Sequence, residues 1–494
     1  MKVLLVNPEY PITYWSFRHA LSFEGKRSAF PPLGLTTISA MLPPTWERRL
    51  VDLNVRPLKP ADIKWADIVL VTAMLVQKES LLKVIAQCKA KGKRVVVGGP
   101  FITSAIEKIP GIDHIFLGEA ETTLPTFIED LQRGEAKPIY QAAERPSLYA
   151  TPVPDFGLAD LKRYSMMGVQ YSRGCPFQCE FCDIIEIYGR VPRTKTPDQM
   201  LAELDALVSV GWRGTVFIVD DNFIGNKRNV KQLLPRLAEW QEKNGHPFSF
   251  ITEASVNLAD DDELLAGMKQ AGFRRVFLGI ETPEEEGLRS ALKTQNIGCD
   301  LLESVKKIQG YGMEVMAGFI VGFDTDKDDI FQRQINFIRD SAIPLAMVGL
   351  LNALPSTQLW RRLEREGRLL GESSGNNTNG ELNFVPAMDA DRLLEGYRSI
   401  LRTIYRPSEY YRRTLECLKR ISVAGPEQTS HTFVSGIVAF ARIVLRLGII
   451  DHDRREFWSF VRHVVANHRE MFADSMRLAA MGYHFRRIVE LTPE

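Results

Sequence analysis

Three cysteines, Cys175, Cys179 and Cys182, lie within eight residues of one another in the stretch "RGCPFQCEFCD". Their order, Cys-x3-Cys-x2-Cys, supplies three thiolates from one short loop. A structural zinc site is usually closed by four protein ligands, and no histidine lies between Gly174 and Gly245. Three thiolates therefore favour a [4Fe–4S] cluster whose fourth iron stays open to an exogenous ligand. A zinc knuckle or three structural cysteines are the alternatives. The other cysteines are distant in the chain: Cys88, Cys299 and Cys417.

The cysteine loop follows a strand-like run, "MGVQYS", which opens a series of alternating strands and helices. Five later apolar runs predict further strands: "TVFIVDDN", "FSFITEAS", "RVFLGIET", "EVMAGFIVGF" and "PLAMVGLLNAL". Strand–helix repetition of this kind predicts a (β/α) barrel. Because six strands are visible rather than eight, we expect a partial (β/α)6 barrel over residues 165–360.

The first 145 residues show a separate series of short Val/Ile/Leu runs, such as "KVLLVNP" and "KRVVVGGP". Continuous apolar runs bounded by Gly and Pro are typical of parallel strands buried on both faces, so we predict a doubly wound, Rossmann-like sheet. Ligands of such sheets bind beyond the carboxyl ends of the strands. An ordinary tight turn is the alternative at the Gly-Gly-Pro position. The predicted ligand positions are Asn7, Pro8, Thr72, Met74, Gly98, Gly99, Pro100, Gly118 and Glu119.

A proline-rich stretch over residues 146–164 predicts a linker, and residues 361–494 predict a helical domain after an Asn/Ser/Gly-rich loop at 371–383. The 494 residues include 62 basic and 61 acidic side chains. This balance gives no indication of a nucleic-acid partner. Six cysteines without a regular framework favour a reducing compartment, and no long uninterrupted apolar run predicts a membrane span. We therefore expect a cytoplasmic protein.

The cysteine loop at the first barrel strand resembles the signature of the radical S-adenosylmethionine (SAM) superfamily. A doubly wound domain ahead of such a barrel resembles its cobalamin-dependent branch, class B. The chain is also similar to a subgroup that carries a C-terminal domain of formerly unknown function, DUF4070, and that includes a hopanoid methylase. The stretches that carry this similarity include "WADIVLVTAM", "GRVPRTKTP", "VDDNFIGNK", "GIETP", "GFIVGFDTD" and "LPSTQLWRRLEREGRL".

The resemblance implies three cofactors: the cluster, SAM bound at its open iron, and cobalamin. It also implies that no protein histidine binds cobalt, because "NPEYPITYWSF" replaces the Asp-x-His-x-x-Gly loop of many B12 modules. On this interpretation Met74, Leu75 or Val76 lies near the lower cobalt face. For Asp220, Glu253 and Glu281, at strand ends, helix capping is the alternative. The SAM contacts that we expect are Phe181, Asp220, Glu253, Glu281, Gly318 and Gly322.

Two further features leave alternatives open. Arg190, Arg193 and Lys195 follow the cysteine loop, where they could neutralise a carboxylate or phosphate or form a solvated basic turn. The apolar run at residues 431–450 predicts an amphipathic helix with Arg442 and Arg446 on one face. That helix could admit or rest on a lipid, which leaves peripheral membrane contact open, or it could pack in a bundle against the barrel.

The resemblance implies a methyltransferase that acts on an unactivated carbon. It also implies that the main reaction steps require no acidic or basic side chain of the protein. Such a carbon cannot attack SAM directly, so two cofactors share the task. Kinship suggests a hopanoid or other polycyclic lipid as substrate, or another small molecule, and a ferredoxin- or flavodoxin-type electron donor. One alternative is a cyclisation or rearrangement with the same cofactors. Another is a zinc- or cluster-binding regulatory protein without catalysis.

Overall fold

The computed structural model describes residues 1–104, 109–376, 378–422 and 433–491. The predicted C-terminal apolar helix is described from Phe433 onward, so its first two residues lie outside this set, as does one residue of the predicted 371–383 loop. The described chain forms two parallel six-stranded sheets, a two-stranded ribbon and a set of C-terminal helices. This arrangement confirms the α/β class with a helical C-terminal region.

The first sheet is doubly wound, as predicted. Its strand order is β2-β1-β3-β4-β5-β6, and every neighbouring pair is parallel. The strands at Lys2–Asn7, Ile68–Thr72 and Arg94–Gly98 consist mainly of Val, Ile and Leu and are buried on both faces, which explains why each of them is a continuous apolar run in the sequence. The bounds are β1 Lys2–Asn7, β2 Glu47–Asp52, β3 Ile68–Thr72, β4 Arg94–Gly98, β5 His114–Leu117 and β6 Ile139–Gln141.

Six α-helices accompany this sheet. Several have clear terminal signals: α3 begins at a proline, and left-handed glycines follow α1 and α6. The bounds are α1 Arg18–Glu24, α2 Leu33–Met41, α3 Pro60–Trp65, α4 Lys78–Lys89, α5 Pro100–Ser104 and α6 Thr123–Arg133.

The second sheet is the predicted partial barrel of six parallel strands, in the order β14-β13-β12-β11-β10-β7. Strands β8 and β9 form a separate antiparallel ribbon on either side of the cysteine loop. The strand bounds are β7 Met167–Val169, β8 Ser172–Arg173, β9 Arg193–Thr194, β10 Gly214–Ile218, β11 Phe248–Ala254, β12 Phe273–Glu281, β13 Glu314–Val321 and β14 Ala346–Leu350.

Helices surround the outside of the barrel, and aspartates at the start of two of them accept backbone N–H hydrogen bonds as N-caps. The bounds are α7 Ile184–Ile187, α8 Pro197–Ser209, α9 Lys227–Lys243, α10 Asp262–Ala271, α11 Glu285–Ser290, α12 Leu301–Gly310, α13 Ile330–Asp340 and α14 Gln358–Arg365.

The C-terminal region packs five α-helices against the barrel and against α1. Helix α17 continues as a π-helical segment over Val444–Ile450 before α18. Within the described parts of the chain, no helix combines the length and apolar character needed to cross a bilayer. The bounds are α15 Ala390–Ile404, α16 Pro407–Ile421, α17 Phe433–Ile443, α18 Arg454–Asn467 and α19 Phe472–Leu491.

The segment after β1 leaves the first sheet and enters the barrel. The Trp15 ring stacks on Phe217 of β10 with centroids 6.0 Å apart and lies 5.1 Å from the Phe277 ring of β12. The Tyr14 hydroxyl donates to the Val348 carbonyl of β14 at 3.0 Å. Both residues therefore belong to the barrel core, although they lie in the N-terminal part of the sequence.

Candidate active site

Three consecutive polar residues after β10 hold the segment that leads into the cysteine loop. The buried Asp220 carboxylate accepts hydrogen bonds from the Tyr171 N–H at 2.7 Å and from the N–H and hydroxyl of Ser172 at 2.8 and 2.6 Å. Asp221 accepts from the Gly174 N–H at 2.8 Å. Burial raises the pKa of Asp220 to about 6, although the hydrogen bonds from Ser172 and Tyr171 oppose this effect. These bonds fix the chain immediately before the first cysteine.

Gly174 sets the turn that starts the loop. Its φ of 94° lies in the left-handed region, and a Cβ at this position would lie 2.8 Å from the Gly189 carbonyl oxygen. A side chain would therefore force the two ends of the loop apart. The Cys175 N–H donates to the same Gly189 carbonyl at 3.2 Å, so the loop closes on itself through backbone contacts.

The three loop cysteines are free thiols that influence one another electrostatically. Burial is the main cause that raises the pKa of Cys182 well above its usual range, and Asp183, Cys179 and Cys175 raise it further. In the described ranges, no three His, Cys, Asp or Glu side chains converge to hold a single metal ion. Burial also raises the pKa of Cys175. The Cys175 and Cys182 thiols would both need a positively charged group in order to bind as thiolates, and iron would supply that charge.

Two amide side chains donate toward the loop sulfurs. Asn222 Nδ2 lies 3.8 Å from Cys175 Sγ and donates to Ser255 Oγ at 3.1 Å, while Gln295 Nε2 lies 3.5 Å from Cys179 Sγ. The Gln295 Oε1 atom is buried without a hydrogen-bond partner among the described residues. Hydrogen bonds to sulfur are one way in which a protein tunes a metal cluster.

A buried ion pair lies beside the loop. Lys293 Nζ and Glu281 Oε1 are 2.5 Å apart, and both side chains are about 10% exposed or less. The Phe181 ring centroid lies 5.9 Å from the same ammonium nitrogen. Burial lowers the pKa of Lys293, but Glu281 and, to a smaller extent, Cys179 and Cys182 raise it, and the net shift is upward. Glu281 has a φ of 64° at a break in the β12–β13 pairing, which turns the strand end toward Lys293.

The barrel interior opens at alternating positions of three neighbouring strands. Glu253, Phe277, Gly279, Gly318 and Ile320 are partly exposed within strands that are otherwise mostly buried. The pairing register places Glu253 beside Phe277 and Gly279 beside Gly318, so these residues share one inner surface. The adjacent glycines leave a stretch of bare backbone on which a flat group could lie.

Glu253 is the carboxylate of this surface that has no hydrogen-bond or ion-pair partner among the described residues. Burial raises its pKa to about 8, and the neighbouring Asp221 and Asp220 add to the shift. Glu281, in contrast, is paired with Lys293. Gly322 adopts a φ of 107°, and its N–H donates to Asp326 Oδ2 at 2.8 Å. Of the predicted SAM contacts, Glu253 and Gly318 therefore face the interior most directly.

Helix α14 clamps the loop from outside. Arg362 Nε lies 2.5 Å from Glu180 Oε1, and its Nη2 lies 3.2 Å from Glu180 Oε2, a two-point contact. The Leu359 N–H donates to the Glu180 carbonyl at 2.9 Å, and Arg361 pairs with Glu186 at 2.6 Å. The stretch "LPSTQLWRRLEREGRL" therefore contacts the cysteine loop through side chains and backbone.

A buried cluster of charges joins the first sheet to the cysteine loop. Arg173 lies 2.6 Å from Glu119 and 2.8 Å from Glu121, and Arg193 lies 2.6 Å from Glu119. All four side chains are at most 17% exposed. Glu119 follows β5, while the arginines belong to the β8–β9 ribbon. We call these four residues the interdomain clamp. The clamp holds the carboxyl edge of the first sheet against the carboxyl edge of the barrel.

The basic residues after the loop have separate roles. Arg193 belongs to the interdomain clamp, and Lys195 pairs with Glu203 in the interior. Arg190 is exposed and lies 3.4 Å from the Pro176 carbonyl oxygen. Two of the three cations, Arg193 and Lys195, are therefore paired with carboxylates of the protein, and only Arg190 is exposed to solvent.

Three family models match consecutive parts of the chain: a B12 binding domain at residues 27–128, the radical SAM superfamily at 169–338 and DUF4070 at 357–494. A Synechocystis protein described as an uncharacterized methyltransferase is 44% identical over 99% of this chain and 92% of its own length. The hopanoid C-2 methylase of Rhodopseudomonas palustris is 34% identical over 93% of this chain and 88% of its own length. The chain belongs to the cobalamin-dependent radical SAM methyltransferases.

Solved structures share the fold. The cobalamin-dependent SAM radical enzyme OxsB, solved with aqua-cobalamin and SAM, matches with a TM-score of 0.63 over 99% of this chain and 80% of that chain at 17% identity. The radical SAM methyltransferase TsrM of Kitasatospora setae, solved with cobalamin and a [4Fe–4S] cluster, matches with a TM-score of 0.56 over 74% and 75% at 15% identity. The cofactors of this methyltransferase are a [4Fe–4S] cluster, SAM and cobalamin.

The carboxyl edge of the first sheet fits a large cofactor held without a histidine. Met74, two residues after β3, is 49% exposed although Val71 and Ala73 before it are buried, and an exposed apolar side chain here suits an apolar partner. A Cβ at Gly99 would lie 2.3 Å from Thr72 Oγ1, so glycine lets the loop after β4 approach β3. His114 lies at the start of β5, and His19 packs on a C-terminal histidine instead.

The remaining predicted cobalamin contacts occupy the same edge. Asn7 is buried between Asp52 and Gln77, and the Pro8 carbonyl accepts from Gln77 Nε2 at 2.6 Å. Gly118 has a φ of 80°, and a Cβ added there would meet no described atom within 4 Å. Pro100 begins α5 directly after Gly98 and Gly99. Leu75 lies against Gly375, where an added Cβ would be 3.0 Å from its Cγ, so the C-terminal loop reaches this edge.

Sequence reasoning missed three contributors to the methyltransferase site. Lys293 and Gln295 lie in "ALKTQN", which has no motif, and their importance comes from contacts with Glu281 and Cys179. Trp15 enters the barrel from the other domain. The signal that could have suggested Trp15 is its position in "ITYWSF", an aromatic run directly after a strand end.

Proposed function

We propose that this enzyme transfers a methyl group to an unactivated carbon of a hopanoid or another polycyclic lipid. The observation that carries the proposal is the similarity to the hopanoid C-2 methylase along nearly the whole chain, including the C-terminal domain. In this proposal Cys175, Cys179 and Cys182 bind the cluster. The carboxyl edge of the first sheet, from Asn7 to Glu119, holds cobalamin.

The barrel interior supports an apolar substrate. The Trp15, Phe217 and Phe277 rings form one aromatic surface, and the Phe30 ring packs edge-on against Phe217 with centroids 5.8 Å apart. This surface lies in the same barrel as Glu253, which we propose as a contact for the methionyl amino group of SAM. Aromatic walls with few polar groups are typical of sites for apolar ligands.

When bound, the cluster and SAM supply a carbon radical by one-electron cleavage, and cobalamin supplies the methyl group. The chain has to hold these groups close together and keep the loop rigid. The interdomain clamp does the first by fixing Glu119 of the first sheet to Arg173 and Arg193. The Asp220–Asn222 segment and Arg362 do the second through the contacts described above.

The test is lipid profiling of a strain with the intact gene, a strain without it and a strain that carries the Cys179→Ala variant. Labelling with deuterated-methyl methionine identifies carbons methylated from SAM. We expect one class of polycyclic lipid to lose a labelled methyl group both in the deletion strain and in the Cys179→Ala strain. Unchanged polycyclic lipids in both strains would refute the lipid substrate.

Product analysis separates methylation from the cyclisation alternative. Purified protein is incubated without oxygen with SAM, cobalamin, the lipid fraction from the deletion strain and dithionite, which replaces the predicted ferredoxin- or flavodoxin-type donor. Methyl transfer yields S-adenosylhomocysteine together with 5′-deoxyadenosine. Formation of 5′-deoxyadenosine and a modified lipid without S-adenosylhomocysteine would favour cyclisation or rearrangement.

A further inference from the structure

A basic cavity of about 860 Å³ is lined by none of the residues proposed to contact the cluster, SAM or cobalamin. It is bounded by α1, the loop after β2, helix α4 and the C-terminal helix α17. Among the described residues, its only acidic lining residue is Glu9. Seven cationic side chains line it: Arg18, Lys26, Arg27, Arg56, Lys83, Arg163 and Arg442. A concave surface with this charge balance attracts anions.

Several of these cations are not neutralised by the protein. Arg27 and Lys83 are exposed and have no ion-pair partner in the described part of the chain. Lys26 Nζ and Arg442 Nη1 contact the backbone carbonyls of Lys162 and Phe23, at 3.3 and 3.1 Å. The remaining three pair with carboxylates: Arg18 with Glu9, Arg56 with Asp62 and Arg163 with Asp160. The cavity therefore has an excess positive charge that an anionic group would balance.

An exposed apolar surface adjoins the cavity on α17 and its π-helical extension. Eighteen large apolar side chains are exposed in the described parts of the chain, and seven of them lie between Ile437 and Val465. Val438 lies one α-helical turn before the cavity-lining Arg442, and the exposed Leu445, Ile449 and Ile450 follow Arg442 in the π-helical extension, so exposed apolar side chains lie on both sides of Arg442 along the helix. The opposite side of the same helix, with Ile443 and Leu447, packs into the core. We call this surface the α17 outer face: Ile437, Val438, Leu445, Ile449 and Ile450.

Helix α18 packs on the π-helical segment and carries further exposed cations. Arg454, Arg455 and Arg462 are exposed, and Glu456 is the acidic residue of the helix. Trp458 is 38% exposed and donates its indole N–H to the Gly448 carbonyl at 2.9 Å. An apolar centre with an amphipathic tryptophan and surrounding arginines is the arrangement that interfacial helices use at a bilayer surface.

We propose that the α17 outer face and the basic cavity together dock the enzyme on an anionic phospholipid bilayer. The apolar side chains would enter the boundary between headgroups and acyl chains, and the cavity would hold a headgroup phosphate. Charge complementarity favours this occupant over a second copy of the chain, because two copies would bring the same cations together. The proposal goes beyond the methylation reaction, since docking does not depend on which carbon accepts the methyl group.

The test is flotation of the full-length, cluster-loaded protein with vesicles of phosphatidylglycerol and phosphatidylcholine, without substrate. We expect binding to vesicles that contain phosphatidylglycerol, weak binding to pure phosphatidylcholine and loss of binding at high salt. Equal binding to both vesicle types, or binding to neither, would overturn the proposal whether or not the enzyme methylates a lipid.

Two double variants examine the two parts of the surface. Leu445→Glu with Ile449→Glu changes the apolar face, and Arg27→Glu with Lys83→Glu reverses the unpaired cavity charges; all four side chains are exposed, so folding should be unaffected. We expect each double variant to weaken binding at least ~10-fold. The matched controls are Ile139→Glu, 53% exposed on β6, and Lys243→Glu with Lys269→Glu on barrel helices; they should bind like the native protein.

A soluble anion is the competing occupant of the cavity. Inorganic phosphate is therefore titrated against the native protein and the Arg27→Glu, Lys83→Glu variant, with thermal stability as the readout. Phosphate-dependent stabilisation that the variant loses, combined with no preference for phosphatidylglycerol vesicles, would show a soluble-phosphate site and overturn membrane docking. Native-like vesicle binding by either double variant would also contradict it.

Discussion

The two carboxyl edges that face each other in this enzyme are built in opposite ways. At the barrel edge, polar side chains hold the cysteine loop in place: Asp220, Asp221 and Asn222 contact it from inside, and Arg362 clamps it from outside. At the edge of the first sheet, Met74 is half exposed and Gly118 has open space around it. In the proposed assignment, a cluster held by three thiolates would need accurate ligand placement, whereas cobalamin at the first sheet would need mainly a complementary shape and close approach of the backbone.

The largest effect should come from the three thiolates. If Cys175, Cys179 and Cys182 are the cluster ligands, alanine at any of them leaves the cluster short of a thiolate, and we expect 5′-deoxyadenosine formation to fall at least ~1000-fold. Iron content and turnover are measured on protein prepared without oxygen. Cys299→Ala is the matched control, since Cys299 is a free, partly buried thiol outside the loop. Native turnover by any of the three alanine variants would contradict the assignment of the loop cysteines as cluster ligands.

The interdomain clamp should give the next effect, because it sets how the two edges meet. Glu119→Ala leaves Arg193 without its carboxylate and removes one of two partners of Arg173, so we expect the free energy of unfolding to fall by about 3 kcal/mol. Urea unfolding measures this loss. The control is Glu286→Ala, which breaks an exposed 3.6 Å pair with Lys327 and should cost less than ~1 kcal/mol. Equal losses for both variants would show that the clamp is no stronger than a surface pair.

Most of the fold was predictable because both sheets consist of continuous buried strands, which leave a clear pattern in the sequence. All six predicted barrel strands are present, as are the strands predicted from "KVLLVNP" and "KRVVVGGP". The three-residue edge strand β6 is too short to show a pattern. The spacing of Cys175, Cys179 and Cys182 predicts the cluster ligands, and that assignment stays a prediction. Asp220 shows what was not predictable: its three hydrogen bonds run to Tyr171 and Ser172, nearly fifty residues earlier, and nothing local indicates them.

Met74→Glu examines the open edge of the first sheet. A carboxylate at this exposed position would disfavour an apolar cofactor face, and we expect cobalamin affinity to fall roughly tenfold without loss of the cluster. Cobalamin content after reconstitution and the iron content are both measured. Ile139→Glu, a similarly exposed apolar position on β6, is the control. Unchanged cobalamin binding by the Met74 variant would place the cofactor elsewhere on the sheet.

Glu253 should make stability depend on pH. Burial raises its pKa from 4.5 to about 8, so the folded protein retains a proton that the unfolded chain releases between these values. The free energy of unfolding should therefore fall as the pH rises from about 4.5 toward 8. Glu253→Gln removes this titrating group, so the variant should show a smaller fall over the same pH range. Thermal unfolding midpoints between pH 5 and pH 8 measure the slope. Glu239→Gln, on the exposed side of α9, should leave it unchanged. A native slope in the Glu253 variant would mean that other groups cause the decline.

The smallest effect should come from the amide that donates to Cys179. Gln295→Leu removes a 3.5 Å hydrogen bond to Cys179 Sγ. Because a hydrogen bond to sulfur favours the reduced state of a cluster, the reduction potential of the variant should be more negative by roughly tens of millivolts. Redox titration of the loaded protein followed by electron paramagnetic resonance measures the shift. Gln332→Leu, exposed on α13, is the control. A potential equal to that of the control would show that this contact does not tune the cluster.

The most direct test is anaerobic reconstitution of the full chain with iron, sulfide and cobalamin, followed by addition of SAM and dithionite. The expected result is about four irons per chain bound through the three loop cysteines, with 5′-deoxyadenosine released only when all three thiols are present. Iron-free protein, or release of 5′-deoxyadenosine that is unaffected by Cys182→Ala, would contradict the assignment of the loop.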